Sequence, residues 1–153
     1  MLPPTLKTTL AATLLISGSA FAQDDDSGPI KYENAVFFNM VNIDFKPGKS
    51  ERAFTIIREH FMKAGKASGT PGPKTLHFKT GKWDAAFIWK LENGPVDLEW
   101  YRSANDVKWW AALAKQEGGD EAATKLMAEF NSLIARSSGT FGHWHFDPDK
   151  KSK

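Results

Sequence analysis

The run Val36 to Phe45, VFFNMVNIDF, constrains this chain more than any other stretch, because its composition is that of a strand and both of its faces are apolar. β-Branched and aromatic residues dominate it, and Lys46-Pro47-Gly48 behind it cannot continue a ladder, so the pattern predicts a strand. Alternation sets Phe37, Asn39, Val41, Ile43 and Phe45 on one face and Val36, Phe38, Met40, Asn42 and Asp44 on the other. Both faces therefore need cover in the folded protein.

A helix follows at once. Ser50 is placed to cap it, and Ala53, Phe54, Ile57, Phe61 and Ala64 recur at helical spacing as one buried stripe, with His60 at its border. Gly65 and the glycine- and proline-rich loop to Pro73 are expected to end it. Beyond the loop, Lys74 to Lys79 and Ala85 to Leu91 read as two strands joined through Gly81-Lys82. Their apolar pattern favours the register that sets Leu76 opposite Phe87 and Phe78 opposite Ala85, so that His77, Ala86 and Ile88 share the other face.

Glu92-Asn93-Gly94-Pro95 is a turn into a long helical region, Asp97 to Gln116, expected to break once near Asn105-Asp106. After Gly118-Gly119, Asp120 is placed to cap a last helix whose stripe is Ala123, Leu126, Met127, Phe130, Leu133 and Ile134. Ser137-Ser138-Gly139 is expected to end that helix, and Thr140 to Phe146 to form the final strand.

A four-stranded antiparallel sheet with helices on one face satisfies this order, an α+β arrangement in which each crossover returns the chain to the same sheet. One sheet face is left over. Because the first strand is apolar on that side too, a second copy of the chain is the economical cover, and a homodimer is expected.

The N-terminal stretch has a single basic residue, Lys7, an uncharged run from Thr8 to Ala22 centred on Leu10 to Ile16, and Ala20-Phe21-Ala22 ahead of three aspartates. It reads as a cleavable signal peptide, since its apolar core is well short of the roughly 20 residues a membrane span needs. Export to the periplasm or beyond is the consequence, with no stable membrane insertion after cleavage. The chain has no cysteine, so neither a lipid-anchor thiol nor a disulfide framework is available. Without residues 1–22 the chain keeps 19 basic against 18 acidic residues, a balance that argues against nucleic-acid binding. The organisation expected is a signal peptide over 1–22, a flexible N-terminal segment over 23–33, one domain over 34–146 and a flexible basic tail over 147–153.

The first strand, the Lys46-Pro47-Gly48-Lys49 turn and the helix start Ser50-Glu51-Arg52-Ala53-Phe54 resemble the dimeric α+β barrel superfamily, which includes antibiotic biosynthesis monooxygenase-like proteins. The likeness covers about Ala35 to Phe146 in element order. It implies ferredoxin-like subunits whose sheets pair into a barrel, and cofactor-free oxygenase chemistry on a small molecule. Haem-degrading members use a strand asparagine, a tryptophan and a haem-ligating histidine; Asn39 and Trp100 stand at the first two positions. The histidine is missing, since Asp97 to Arg136 contains none, so no haem and no other cofactor is expected.

Polar candidates are few. His143 and His145 alternate onto one strand face with Phe141, and His77 on another strand could complete a metal trio across a dimer. Six tryptophans suit a hydrophobic cavity as well as a core; Trp83 and Trp89 are expected to face the helices, and Trp100, Trp109 and Trp110 to sit where a pocket would open. No serine, cysteine or carboxylate pair has the spacing of a nucleophile or an acid–base couple. The leading expectation is a homodimer that binds a small apolar or aromatic molecule through Asn39, His77, Ile88, Trp100, Trp110, His143 and His145. A structural or interaction protein of the envelope and a histidine-based metal module are the other two readings.

Overall fold

The computed structural model describes residues 28–145. The signal peptide expected over 1–22, part of the segment 23–33 and the tail 147–153 lie outside the described residues. The described residues from Tyr32 on form one compact unit, and the described residues 28–31, which belong to another, have no regular structure. Among the described residues, no helix is long and apolar enough to cross a membrane.

β1 (Ala35–Phe45) sits inside the sheet, with β3 (Ala85–Lys90) on one side and β4 (Ile134–His145) on the other. β2 (Lys74–His77) pairs with β3 at the edge, every pairing is antiparallel, and the order is β2-β3-β1-β4. Helices α1 (Ser50–Ile56), α2 (Met62–Ser68), α3 (Ala104–Glu117) and α4 (Asp120–Leu133) cover one face, which makes this a ferredoxin-like α+β fold. Register explains the core: Val41, Ile43 and Phe45 stand beside Ala85 and Phe87 on the helix side and meet Ile56, Leu113, Leu126 and Phe130. That core is wholly apolar, and among the described residues no polar or charged residue is buried.

Several local expectations are corrected. The first helical region continues past Gly65 to Ser68, where Gly69 takes a left-handed φ of 66°. A mid-helix glycine costs about 1 kcal/mol relative to alanine, but here it lies against the Trp109 indole, 3.9 Å from where a Cβ would stand. Between α1 and α2 the residues Ile57–Phe61 form a π turn, which frees backbone acceptors. The Phe61 carbonyl takes the Trp109 indole N–H at 3.1 Å, and the His60 carbonyl takes a Gln116 amide N–H at 3.4 Å. Ser50 is not a cap but the first helical residue, preceded by Lys49, whose carbonyl accepts from the Ala53 amide. Asp120 is likewise inside α4; Gly119 holds the cap position at φ 139°, and the Asp120 carboxylate accepts the Trp110 indole N–H at 2.8 Å.

The helical region after β3 divides earlier than expected. Gly94–Glu99 is a short 3-10 helix, and α3 starts behind a capping box in which Ser103 and Asp106 satisfy each other's backbone amides. At the far end, β4 begins directly after α4, so Ser137, Ser138 and Gly139 pair with β1 rather than ending a helix. A bulge lies between the pairs Asp44 with Arg136 and Phe45 with Ile134. The extra residue, Ala135, turns Ile134 from the open face into the core, where it packs with Phe45's neighbours.

The hairpin register is also shifted by one residue. Leu76 lies opposite Ala86 and His77 opposite Ala85, so His77 faces the helices, its ring 4.7 Å from that of Phe54. β2 is short and exposed, so apolar patterning has little leverage over it. Backbone bonds set the register instead: Phe78 N–H donates to the Asp84 carbonyl, and Asp84 N–H to the Ile43 carbonyl, both at 2.9 Å. Trp83 does not face the helices; it lies against Lys82 and Arg136, and Arg136 pairs with Asp44 at 2.9 Å on the open side.

The π turn is tied to the end of α3 by His60 Nδ1 and Glu117 Oε1, 2.7 Å apart. This hydrogen bond, with a smaller one from Gln116, holds the Glu117 carboxyl below its ordinary value of 4.5 despite an opposing push from burial. A lowered folded pKa stabilises the protein above the unfolded value and loses that contribution as pH falls through the folded one. Wild type is therefore expected to melt higher than Glu117→Gln at pH 7, with the gap closing below about pH 4.5. Melting curves from pH 3 to 7 check this, and a gap that does not change with pH would refute it.

Candidate functional site

On the helix side the packed core stops at Val41 and Phe87, and β1 continues for six more residues beyond it. Cross-strand register places Trp89, Asn39 and Phe141 in one row, and Phe37 beside His143 in the next. The Phe37 and Phe141 rings stack at 5.8 Å with 6° between their planes, and Phe37 lies 5.3 Å from His143. Trp89 is 37% and Phe141 47% exposed although both belong to the helix-side face. The 3-10 helix reaches this floor at Phe37, where Gly94 approaches so closely that a Cβ would lie 3.6 Å from the ring. The result is an aromatic floor with two polar side chains, Asn39 and His143, set into it.

Tyr32 packs against the end of the floor, 4.4 Å from His143 and 5.6 Å from His145, while the two imidazoles are 5.0 Å apart. Tyr32 falls in the stretch expected to be a flexible lead-in, and no periodicity in that stretch flags it. An open recess of about 350 Å³ lies elsewhere, at the start of α3, lined by Arg102, Asp106, Trp109 and Trp110. The Ser-x-x-Asp spacing of Ser103 and Asp106 is the signal that could have placed this helix start.

The seven candidates thus separate. Asn39, His143 and His145 come together on the floor; Trp110 lines the recess, and Trp100, 65% exposed, lies between the 3-10 helix and α3. Ile88 is on the open face, opposite Met40 and Lys74. His77 sits on the other edge strand, three strands and six residues along from His143, a separation of roughly 20–25 Å at ordinary sheet spacings. The three strand histidines therefore do not meet within one chain. Among the described residues, no three His, Cys, Asp or Glu side chains are grouped to hold a metal ion.

The open face has its own pattern. Val36, Phe38, Met40, Ile88 and Trp144 share it, all half-buried, and Phe38 stacks on Trp144 at 4.9 Å. The tip of the Phe38 ring also lies over Gly142, where an added Cβ would come within 2.9 Å of it.

No protein-family model matches this chain, and no curated protein matches it. Among solved structures, a NIPSNAP family protein of unknown function from Agrobacterium tumefaciens superposes with a TM-score of 0.51 at 13% identity, covering 76% of this chain and 96% of that one. Another NIPSNAP family protein from the same organism aligns at a TM-score of 0.48 and 10% identity, over 80% of this chain and 94% of that one. The first likeness extends the ferredoxin-like assignment to a known fold relative. At this identity it concerns the fold, and function is argued from the site.

Proposed function

We propose that this protein binds a small aromatic or apolar molecule on the floor formed by Phe37, Asn39, Trp89 and Phe141, and that it does so as an exported homodimer. The observation that carries the reading is the pair of half-exposed aromatics, Trp89 and Phe141, flanking Asn39 on the helix-side face beyond the core. Flat apolar walls with one amide between them suit a planar ring that carries a hydrogen-bonding group. The apolar open face supports pairing with a second copy, since a single chain leaves Phe38, Ile88 and Trp144 only half-buried.

Binding is favoured over catalysis. None of Phe37, Asn39, Trp89 and Phe141 is a carboxylate, and the two imidazoles at the end of the floor, His143 and His145, make ring contacts with Tyr32, with Phe37 and with each other. The oxygenase chemistry implied by the superfamily resemblance therefore gains no residue from this geometry.

Calorimetric titration of the purified protein with 2-naphthol and with indole tests the reading. Saturable binding is expected, weakened about five- to tenfold by Phe141→Ala, the value of one good aromatic contact. Val107→Ala, at an exposed position on α3, is expected to change nothing. Absence of saturable binding of either compound, or equal affinity in Phe141→Ala, would overturn it.

A further inference from the structure

The end of β4 presents two imidazoles that the ligand floor does not both use. His143 and His145 are two residues apart on an edge strand, so their side chains leave the same face, and β1 pairs with only one side of that strand. Their ring centroids are 5.0 Å apart. Two imidazoles bound in cis to one ion, with metal–nitrogen distances of about 2.0–2.1 Å and angles between square and tetrahedral, put their centroids roughly 4.5–5.2 Å apart. The rings therefore stand at a centroid separation compatible with chelation, with 85° between their planes. Neither ring nitrogen is engaged in a side-chain hydrogen bond to another described residue, unlike that of His60, whose Nδ1 is taken by Glu117.

We propose that His143 and His145 form a bidentate site for a divalent transition-metal ion of borderline softness, with Cu²⁺ preferred over Ni²⁺ and Zn²⁺. Imidazole donors select that group of ions, and the order of affinity for a nitrogen site of open geometry peaks at copper. The remaining coordination positions are left for water or for a ligand atom. His77 has no part in the site, being on the opposite edge strand with its ring against Phe54. The inference stands apart from the small-molecule reading, because it rests on the histidine pair and not on Trp89 or Phe141.

The test is calorimetric titration of the full exported chain, without a polyhistidine tag, with CuSO₄, NiCl₂ and ZnCl₂ in a non-coordinating buffer. One ion per chain is expected, with affinity falling at least tenfold in His143→Phe and in His145→Phe, and unchanged in His77→Phe. Phenylalanine keeps the ring packing against Tyr32 and Phe37 and removes only the nitrogen donors, so a folded variant that has lost the metal is informative. Circular dichroism confirms the fold, and a visible d–d band for the copper form in wild type but in neither His143→Phe nor His145→Phe gives a second readout. No saturable binding of any of the three ions, or binding that survives in the double variant, would overturn the proposal. Loss of metal with retained 2-naphthol binding would separate this site from the aromatic floor.

Discussion

Replacing Phe38 by aspartate is expected to turn the proposed homodimer, at micromolar concentration, into a monomer. Phe38 lies in the middle of the open face, between Gly142 on β4 and Lys90 on β3, and stacks on Trp144. If two copies pair these faces about a two-fold axis, each substitution occurs twice. An unpaired carboxylate trapped in such an interface costs about 3–5 kcal/mol, or between a hundred- and a few thousandfold in association for each copy. Light scattering coupled to size exclusion reads the outcome directly. Ile88→Lys, on the same face but on β3, is expected to act the same way, and circular dichroism separates loss of pairing from loss of fold. A wild-type protein that is already monomeric at micromolar concentration would refute the pairing and leave the open face without its proposed cover.

Ile56→Ala is expected to lower the unfolding free energy by about 2–5 kcal/mol, the range for emptying a fully packed aliphatic site. Ile56 is one of the two largest side chains with no accessible surface, Leu113 being the other, and it belongs to the one apolar cluster that joins α1 to the sheet and to α3 and α4. For a domain of this size that corresponds to a drop in melting temperature of roughly 10–20 °C. Arg52 supplies the contrast. Its guanidinium grips the Glu129 carboxylate at 2.7 and 2.9 Å and ties α1 to α4, yet both side chains are more than a third exposed. An ion pair in that position contributes about 0–1 kcal/mol. Urea titration of Ile56→Ala checks the larger figure; a loss under about 1 kcal/mol would mean the helices are held mainly by something other than this core.

The elements that were legible in the sequence are those that bury a continuous stripe. β1 is legible from its β-branched and aromatic composition and the Lys46-Pro47-Gly48 stop behind it, and α4 from a period-3.6 stripe that packs against the core, and the order of the elements then leads to the antiparallel sheet. What was misread is where burial gives no signal. β2 buries none of its four residues, so its register is decided by backbone hydrogen bonds around Asp84 that no apolar pattern records. Gly65 and Ser137-Ser138-Gly139 look like breakers, but one is supported by the Trp109 indole and the others by a long partner strand. The π turn has no compositional signature at all, and the bonds that accompany it, from Trp109 and Gln116 to its carbonyls, are tertiary.

The site was legible in part for the same reason. Asn39, His143 and His145 share a strand parity that survives folding, and Trp110 lies on α3 at the mouth of a recess as its helical reading implies, whereas Trp100, Ile88 and His77 depended on a register or helix boundary that lies elsewhere. Tyr32 was out of reach, because a single aromatic ahead of a strand has no periodicity to place it.

Ala35 and His145 are direct register partners, so the two ends of the sheet domain stand about 5 Å apart. The backbone is thus nearly a closed ring. A short glycine linker could join those ends while the loop over 69–73 is cut open, giving a circular permutant with the same strand pairs and a different starting point.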